Sequence, residues 1–284
     1  GTNGARRWVR AAVPVGVGIL LALLPAPSGL SLNAWHYFAL FTAVIVAVIT
    51  EPLPPASIGL LGVAIATVSG LVRPTTAAAT TWALSGFSNA TVWLIFAAYM
   101  FTTGYARTGL GRRIALWLIR RMGAKTLGLG YAVAVADLLL APFTASTTAR
   151  SGGTIYPAIR TIPELYGSYP NDPSARKIGA YLLYTAAAST LITASMFVTA
   201  LAPNALVVSV MASTAHVTVT WMDWFKGFAP VGLVLLAVVP YLIFRIYPPG
   251  ITEAPEAPRW ASEQLQAMGP ISRREVTLLV LVVC

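Results

Sequence analysis

Six apolar stretches, at residues 9–24, 35–50, 55–72, 91–105, 178–211 and 231–247, leave this chain few folds to adopt. About 20 apolar helical residues cross the roughly 30 Å hydrocarbon layer of a bilayer. The expected fold class is therefore all-α, a polytopic membrane protein. Only 10% of the residues are charged and 57% are hydrophobic, where an ordinary soluble domain carries about 25% charged residues. The net charge of +10 sits in short arginine and lysine clusters between the apolar stretches rather than on one face. That pattern reports topology and a lipid bilayer as partner, not nucleic acid. The one cysteine, Cys284, rules out a disulfide framework and any metal-ligand spacing built on thiols. "ARRWVR" followed by an apolar run reads as a first membrane helix rather than a cleaved leader.

Residues 126–159 form a seventh membrane stretch of awkward length. As one helix they would reach about 51 Å, too long for one crossing and slightly short for two. Two arms meeting at the polar "TASTT" fit a re-entrant helical hairpin, and the basic residues favour it. With residues 126–159 returning to their own side, nearly all arginines and lysines between the stretches fall on the side of the N-terminus, leaving Arg73 and Lys226 opposite. A single crossing would divide them almost evenly. By the rule that cytoplasmic loops collect positive charge, the N-terminus is expected in the cytoplasm.

Residues 178–211 are interrupted at "TALAPNAL", and Pro203 predicts a broken helix near Ala202. Non-helical backbone at membrane depth survives where protein or a polar cavity satisfies it, so two consecutive interrupted elements point to one cavity. "RRIALWLIRRM" is expected to lie along the inner membrane surface, with Ile114, Leu116, Leu118 and Ile119 against lipid. "EVTLLVLVVC" is too short to cross, so the chain is expected to be a piece of a longer one.

At the hairpin tip, Ser146, Thr147 and Thr148 stand where a second half-helix begins. Their hydroxyls and the free N–H groups there suit a carboxylate. They equally suit simple capping of the turn, with Gly152 and Gly153 allowing close helix packing. Arg150 in the membrane interior needs a partner, either Asp137 on the opposite arm in a structural ion pair or the carboxylate of a substrate. "SNAT" at residues 88–91 reads as a helix start. No phosphate loop, nucleophile elbow or acid pair suggests an enzyme.

The segments "LLLAPFTASTTARSGGTIYP", "SGFSNATVWLIFAAYMFTTGYARTGLGRRIALWLI", "SMFVTALAPNAL", "WMDWFKGFAPVG" and "EQLQAMGPISRREVTLL" together resemble the divalent anion:sodium symporter family. The similarity is to its citrate:succinate, tartrate:succinate and 2-oxoglutarate:malate translocator branch and covers the N-terminal half. The resemblance implies the first inverted repeat of an elevator-type secondary transporter of the bacterial inner membrane, assembled as a homodimer. Scaffold helices would fill residues 1–87, and a further scaffold helix with an inner-surface helix residues 88–125. A transport-domain hairpin and broken helix would fill residues 126–212, the last helix of the repeat 213–247, and an inner loop with the start of the second repeat 248–284. Ser146, Thr147 and Thr148 match the family's tip motif, and the break at residues 200–204, with Ala202, Pro203 and Asn204, completes one wall of the substrate site. Sodium-coupled members would place a cation near Ser146, Thr147 and Ala200. Thr147 replaces the motif's asparagine and lacks its amide, which fits anion exchange better than a sodium site, with no other cofactor implied. The expected substrates are di- or tricarboxylates of the citrate, succinate, malate, 2-oxoglutarate or tartrate class. The alternatives are a sodium-coupled dicarboxylate symporter, or a non-transporting scaffold or incomplete fragment.

Overall fold

The structure, a computed structural model, describes residues 2–283, so Cys284 lies outside the described residues, as do the side chains of Arg6 and Arg7. Two compact units divide the chain, one ending at Ala90 and the other starting at Thr91. Among the described residues, Leu32–Thr50, Thr126–Phe143 and Trp221–Ile246 are helices long and apolar enough to cross a membrane, and Trp8–Leu23, Pro55–Val68 and Ala202–Ala215 are shorter apolar helices. The protein is all-helical and polytopic in the membrane.

In the first unit, α1 (Thr2–Leu23), α2 (Leu32–Thr50), α3 (Pro55–Val68) and α4 (Thr76–Leu84) follow one another through short turns. Their limits are local chemistry: Ser31 caps α2, Glu51 closes it in the left-handed conformation, proline opens α3, and Thr75 caps α4. α1 meets α2 where Gly18 lies against Ala43, and α2 meets α3 where Gly62 lies against Val44.

The second unit holds α5 (Ala90–Thr108) and α6 (Leu110–Met122), joined by Gly109 at φ 78°, a left-handed turn that suits glycine. The apolar face of α6 does not meet lipid. Leu116 is 0% and Ile119 1% exposed, and with Leu118 they join the core built from α6, α7 (Thr126–Leu140) and Ala254, Ala257 and Ala261. Helical spacing had revealed the apolar stripe correctly, but a stripe does not say what covers it. On its polar side Arg113 binds Glu275 at 2.7 Å and the carbonyl of Gly269 at 2.9 Å, so this arginine serves protein rather than headgroups.

Beyond α7 the chain turns through Ala141–Phe143 and Thr144, then continues as a π-helical stretch, Thr148–Ile155, into the short helices α8 (Tyr156–Ile159) and α9 (Ile162–Leu165). This is a hairpin, and its two ends are held together. The Thr126 N–H donates to Thr252 O and its hydroxyl to Ile251 O, while the Ala254 N–H donates to Ala124 O. On the returning side, the Tyr166 hydroxyl accepts from the N–H groups of Glu256 and Ala257 at 2.9 and 3.0 Å. The same loop binds the start of α10 (Gly179–Met196), with Gly250 N–H on Arg176 O and Ile251 N–H on Lys177 O. One strap of backbone, residues 250–257, thus gathers both ends of the hairpin and the start of α10 at one end of the unit.

α10 stops at Met196, and α11 (Ala202–Val210) resumes after the extended residues Phe197 and Leu201 flanking a turn at Val198–Ala200. The break therefore precedes Ala202 instead of centring on it. Pro203 lies in the first turn of α11, where its missing N–H costs nothing, so proline marks the restart and not the gap. α12 (Trp221–Ile246) begins well before the apolar run at residue 231, because Thr220 and Asp223 form a capping box at its start. Pro240 inside α12 cannot donate to Leu236 O, and the Tyr131 hydroxyl ties α7 to the same turn by donating to Ala237 O at 2.6 Å. α13 (Glu256–Ala267) packs on α6, and α14 (Arg273–Val283) ends the described residues.

Candidate functional site

The hairpin tip and the break between α10 and α11 come together, and Arg150 joins them. Its Nε lies 3.2 Å from both carboxylate oxygens of Asp137. Nη1 donates to Thr144 O in the tip at 3.0 Å and to Ala200 O in the break at 3.3 Å. Nη2 donates to Thr190 O at 3.3 Å and to the Thr193 hydroxyl at 3.2 Å. The carboxylate is completed by the hydroxyls of Thr190, at 3.1 Å, and Thr193. Arg150 is 0% and Asp137 1% exposed. Each guanidinium nitrogen is engaged by protein, which is how two buried charges avoid being left unpaired.

The tip itself is built from short-range bonds. Pro142 stops α7 and the Thr144 hydroxyl returns to Leu140 O at 3.0 Å. The Ser146 hydroxyl accepts from the Ala149 N–H at 3.3 Å, and the Arg150 N–H donates to Ser146 O at 3.0 Å. Ser146 is thus the cap of the second arm. Thr147 is half-buried and makes no capping bond, and Thr148 is exposed. Gly152 and Gly153 do not serve close packing within the described chain: an added Cβ at either would meet nothing within 4 Å.

Across from the tip, Ala202 and Asn204 are half-buried and Pro203 exposed. The Asn204 side-chain amide donates to Ala194 O at 2.7 Å and Phe197 O at 3.1 Å, tying the start of α11 to the end of α10. Ala200, near which sodium-coupled members of the resembled family would place a cation, offers its carbonyl to Arg150. Among the described residues no cluster of histidine, cysteine and acidic side chains could hold a metal ion. Thr190 and Thr193 had not been singled out from the sequence. Their three-residue spacing on one helix face was the available signal.

The matching family model is that of the sodium:sulfate symporter transmembrane region, over residues 5–284. Curated relatives include the L-tartrate/succinate antiporters of Shigella sonnei, Escherichia coli K12 and Shigella flexneri, each 46% identical over 288 residues and covering 97% of this chain. The chain spans 59% of the length of each of these relatives. Both names denote carriers and not enzymes. With that match along almost its whole length, and an all-helical membrane fold, the chain belongs to the divalent anion:sodium symporter family.

Proposed function

We propose that this chain forms the substrate-binding half-site of a carrier that exchanges C4-dicarboxylates, tartrate and succinate foremost, across the bacterial inner membrane, with its N-terminus in the cytoplasm. The observation that carries this reading is the meeting of two interrupted helices around the Arg150–Asp137 pair. The second arm starts there, beside the hydroxyls of Ser146, Thr147 and Thr148, and a helix start attracts anions through its free N–H groups and dipole. The substrate carboxylate would lie against those hydroxyls and the first turn of α11, Ala202–Asn204. Arg150 would not grip it, since its guanidinium is used by protein.

Exchange rather than sodium coupling is favoured by where that guanidinium sits. It donates to Thr144 O and Ala200 O, one carbonyl from each interrupted element. Such paired carbonyls are natural cation ligands, and a resident positive charge makes a travelling sodium ion unnecessary there. The names of the relatives, L-tartrate/succinate antiporters, agree with this choice.

The test is counterflow in proteoliposomes holding the full-length protein. Uptake of labelled tartrate is expected to need internal succinate and to be indifferent to a sodium gradient. Uptake driven by sodium into empty vesicles would establish symport instead, and no uptake under either condition would remove the carrier reading.

A further inference from the structure

The hairpin tip and the helix break touch a second time, away from the ion pair. Thr199, in the turn Val198–Ala200, donates its hydroxyl to Pro142 O at 2.6 Å. The Thr199 hydroxyl oxygen in turn accepts from the indole N–H of Trp221 at 3.3 Å. An indole N–H can only donate and a carbonyl can only accept, so the direction of the Thr199 hydroxyl is fixed between them. Trp221 is held in turn. Its ring stacks on Phe225 at 5.5 Å, Phe225 stacks on Phe197 at 5.3 Å, and Phe197 faces Trp221 at 5.9 Å. The capping box of Thr220 and Asp223 fixes the first turn of α12 from which Trp221 projects. A rigid helix end therefore reaches the break through one indole, and the break reaches the tip through one hydroxyl.

We propose that Thr199 is a positioning residue of the carrier, holding the hairpin tip at a set distance from the helix break while Trp221 sets the direction of its hydroxyl. The proposal rests on the exchange reading above. Thr199 acts through Pro142, which lies only four residues before Ser146 and five before Thr147, so a displaced Pro142 carbonyl displaces the hydroxyls that would meet a carboxylate. Arg150 already secures the two elements against separation. Without the Thr199 bond the protein should fold normally and bind its substrate less well.

The test uses the full-length carrier in proteoliposomes, with Thr199→Val as the shape-matched variant lacking the hydroxyl. Succinate KM is expected to rise about 2- to 10-fold, as the loss of one net hydrogen bond implies, with the maximal exchange rate within about twofold of wild type. Thr199→Ser should restore KM. Trp221→Phe, which keeps the ring stack but removes the donor, should raise KM by less than Thr199→Val. Hydrogen exchange of the backbone amides at residues 141–147 should quicken in Thr199→Val while α7 stays protected. A Thr199→Val variant with wild-type KM and wild-type amide exchange overturns the proposal. So does a fall in maximal rate at constant KM that serine fails to rescue, which would be a folding defect alone. If the wild-type protein exchanges no dicarboxylate, the functional reading fails by itself, and amide exchange then decides whether Thr199 holds tip to break.

Discussion

Arg150 and Asp137, 13 residues apart on the two arms of the hairpin, form an ion pair sealed from solvent, with Nε 3.2 Å from each carboxylate oxygen. Removing one member of such a pair strands the other charge and typically costs about 3–5 kcal/mol. Asp137→Ala is expected to lose that order of stability, read as a lower unfolding temperature in detergent. Combining Asp137→Leu with Arg150→Met removes both charges and should recover most of the loss. The exchange proposed for the full-length protein should not return with it, because Thr144 O and Ala200 O would have lost the group that joins them.

Close approach of α7 and α10 depends on Gly130. A Cβ there would strike the Tyr181 hydroxyl oxygen and come within 2.7 Å of its ring, and Tyr181 is buried, its hydroxyl donating to Pro240 O at 3.4 Å. Gly130→Ala should therefore destabilise by about 1–3 kcal/mol, the usual cost of overpacking. The cost should fall when Tyr181→Phe removes the first atom a methyl group would strike, as a double-mutant cycle on unfolding temperatures would show.

Much of this fold was legible because the bilayer allows so few alternatives. Apolar run lengths and the charge pattern predicted the helices, and the excess length of residues 126–159 together with "TASTT" predicted the turn. What escaped had physical reasons. The apolar stripe of α6 was evident, but only the folded chain reveals that α7 and α13 cover it. Pro203 marked an interruption without saying on which side of it the backbone opens. The partners of Arg150 were half visible. Asp137 lies on the same hairpin and was a candidate, whereas Thr190 and Thr193 of α10 and the Ala200 carbonyl in the break after it lie 40 or more residues away and were beyond any local pattern. The start of α12 escaped too, because hydropathy marks only the apolar run from residue 231, and the Thr220–Asp223 capping box that starts the helix was not singled out from the sequence.

The strap at residues 250–257 predicts a labelling pattern. Since it binds both Thr126 and Tyr166, the residues flanking the hairpin should face one compartment. In a Cys284→Ser background, single cysteines at Lys125, Arg160 and Arg176 should react with an impermeant maleimide from the same side of inside-out vesicles. Reaction of Lys125→Cys and Arg176→Cys from opposite sides would contradict the hairpin.

Asn204 gives the sharpest separation between holding the site together and touching what it binds. Its amide nitrogen donates to Ala194 O, one of the last carbonyls of α10 that the helix itself cannot satisfy, and to Phe197 O just beyond it, which also accepts the Ala200 N–H. What the side chain has left is a carbonyl oxygen, which cannot donate to a carboxylate. Asn204→Asp keeps the shape, removes both donors and sets a carboxylate against the two carbonyl oxygens they served. It should destabilise by about 1–3 kcal/mol, the range for stranding buried hydrogen-bonding groups. Asn204→Gln keeps the donors on a longer arm and should be milder. If the residue instead meets substrate directly through its amide, Asn204→Asp would leave the unfolding temperature unchanged and abolish the extra stabilisation that added succinate confers. Unfolding temperatures with and without succinate separate the two outcomes, and the geometry predicts that the variant's loss is already complete without succinate.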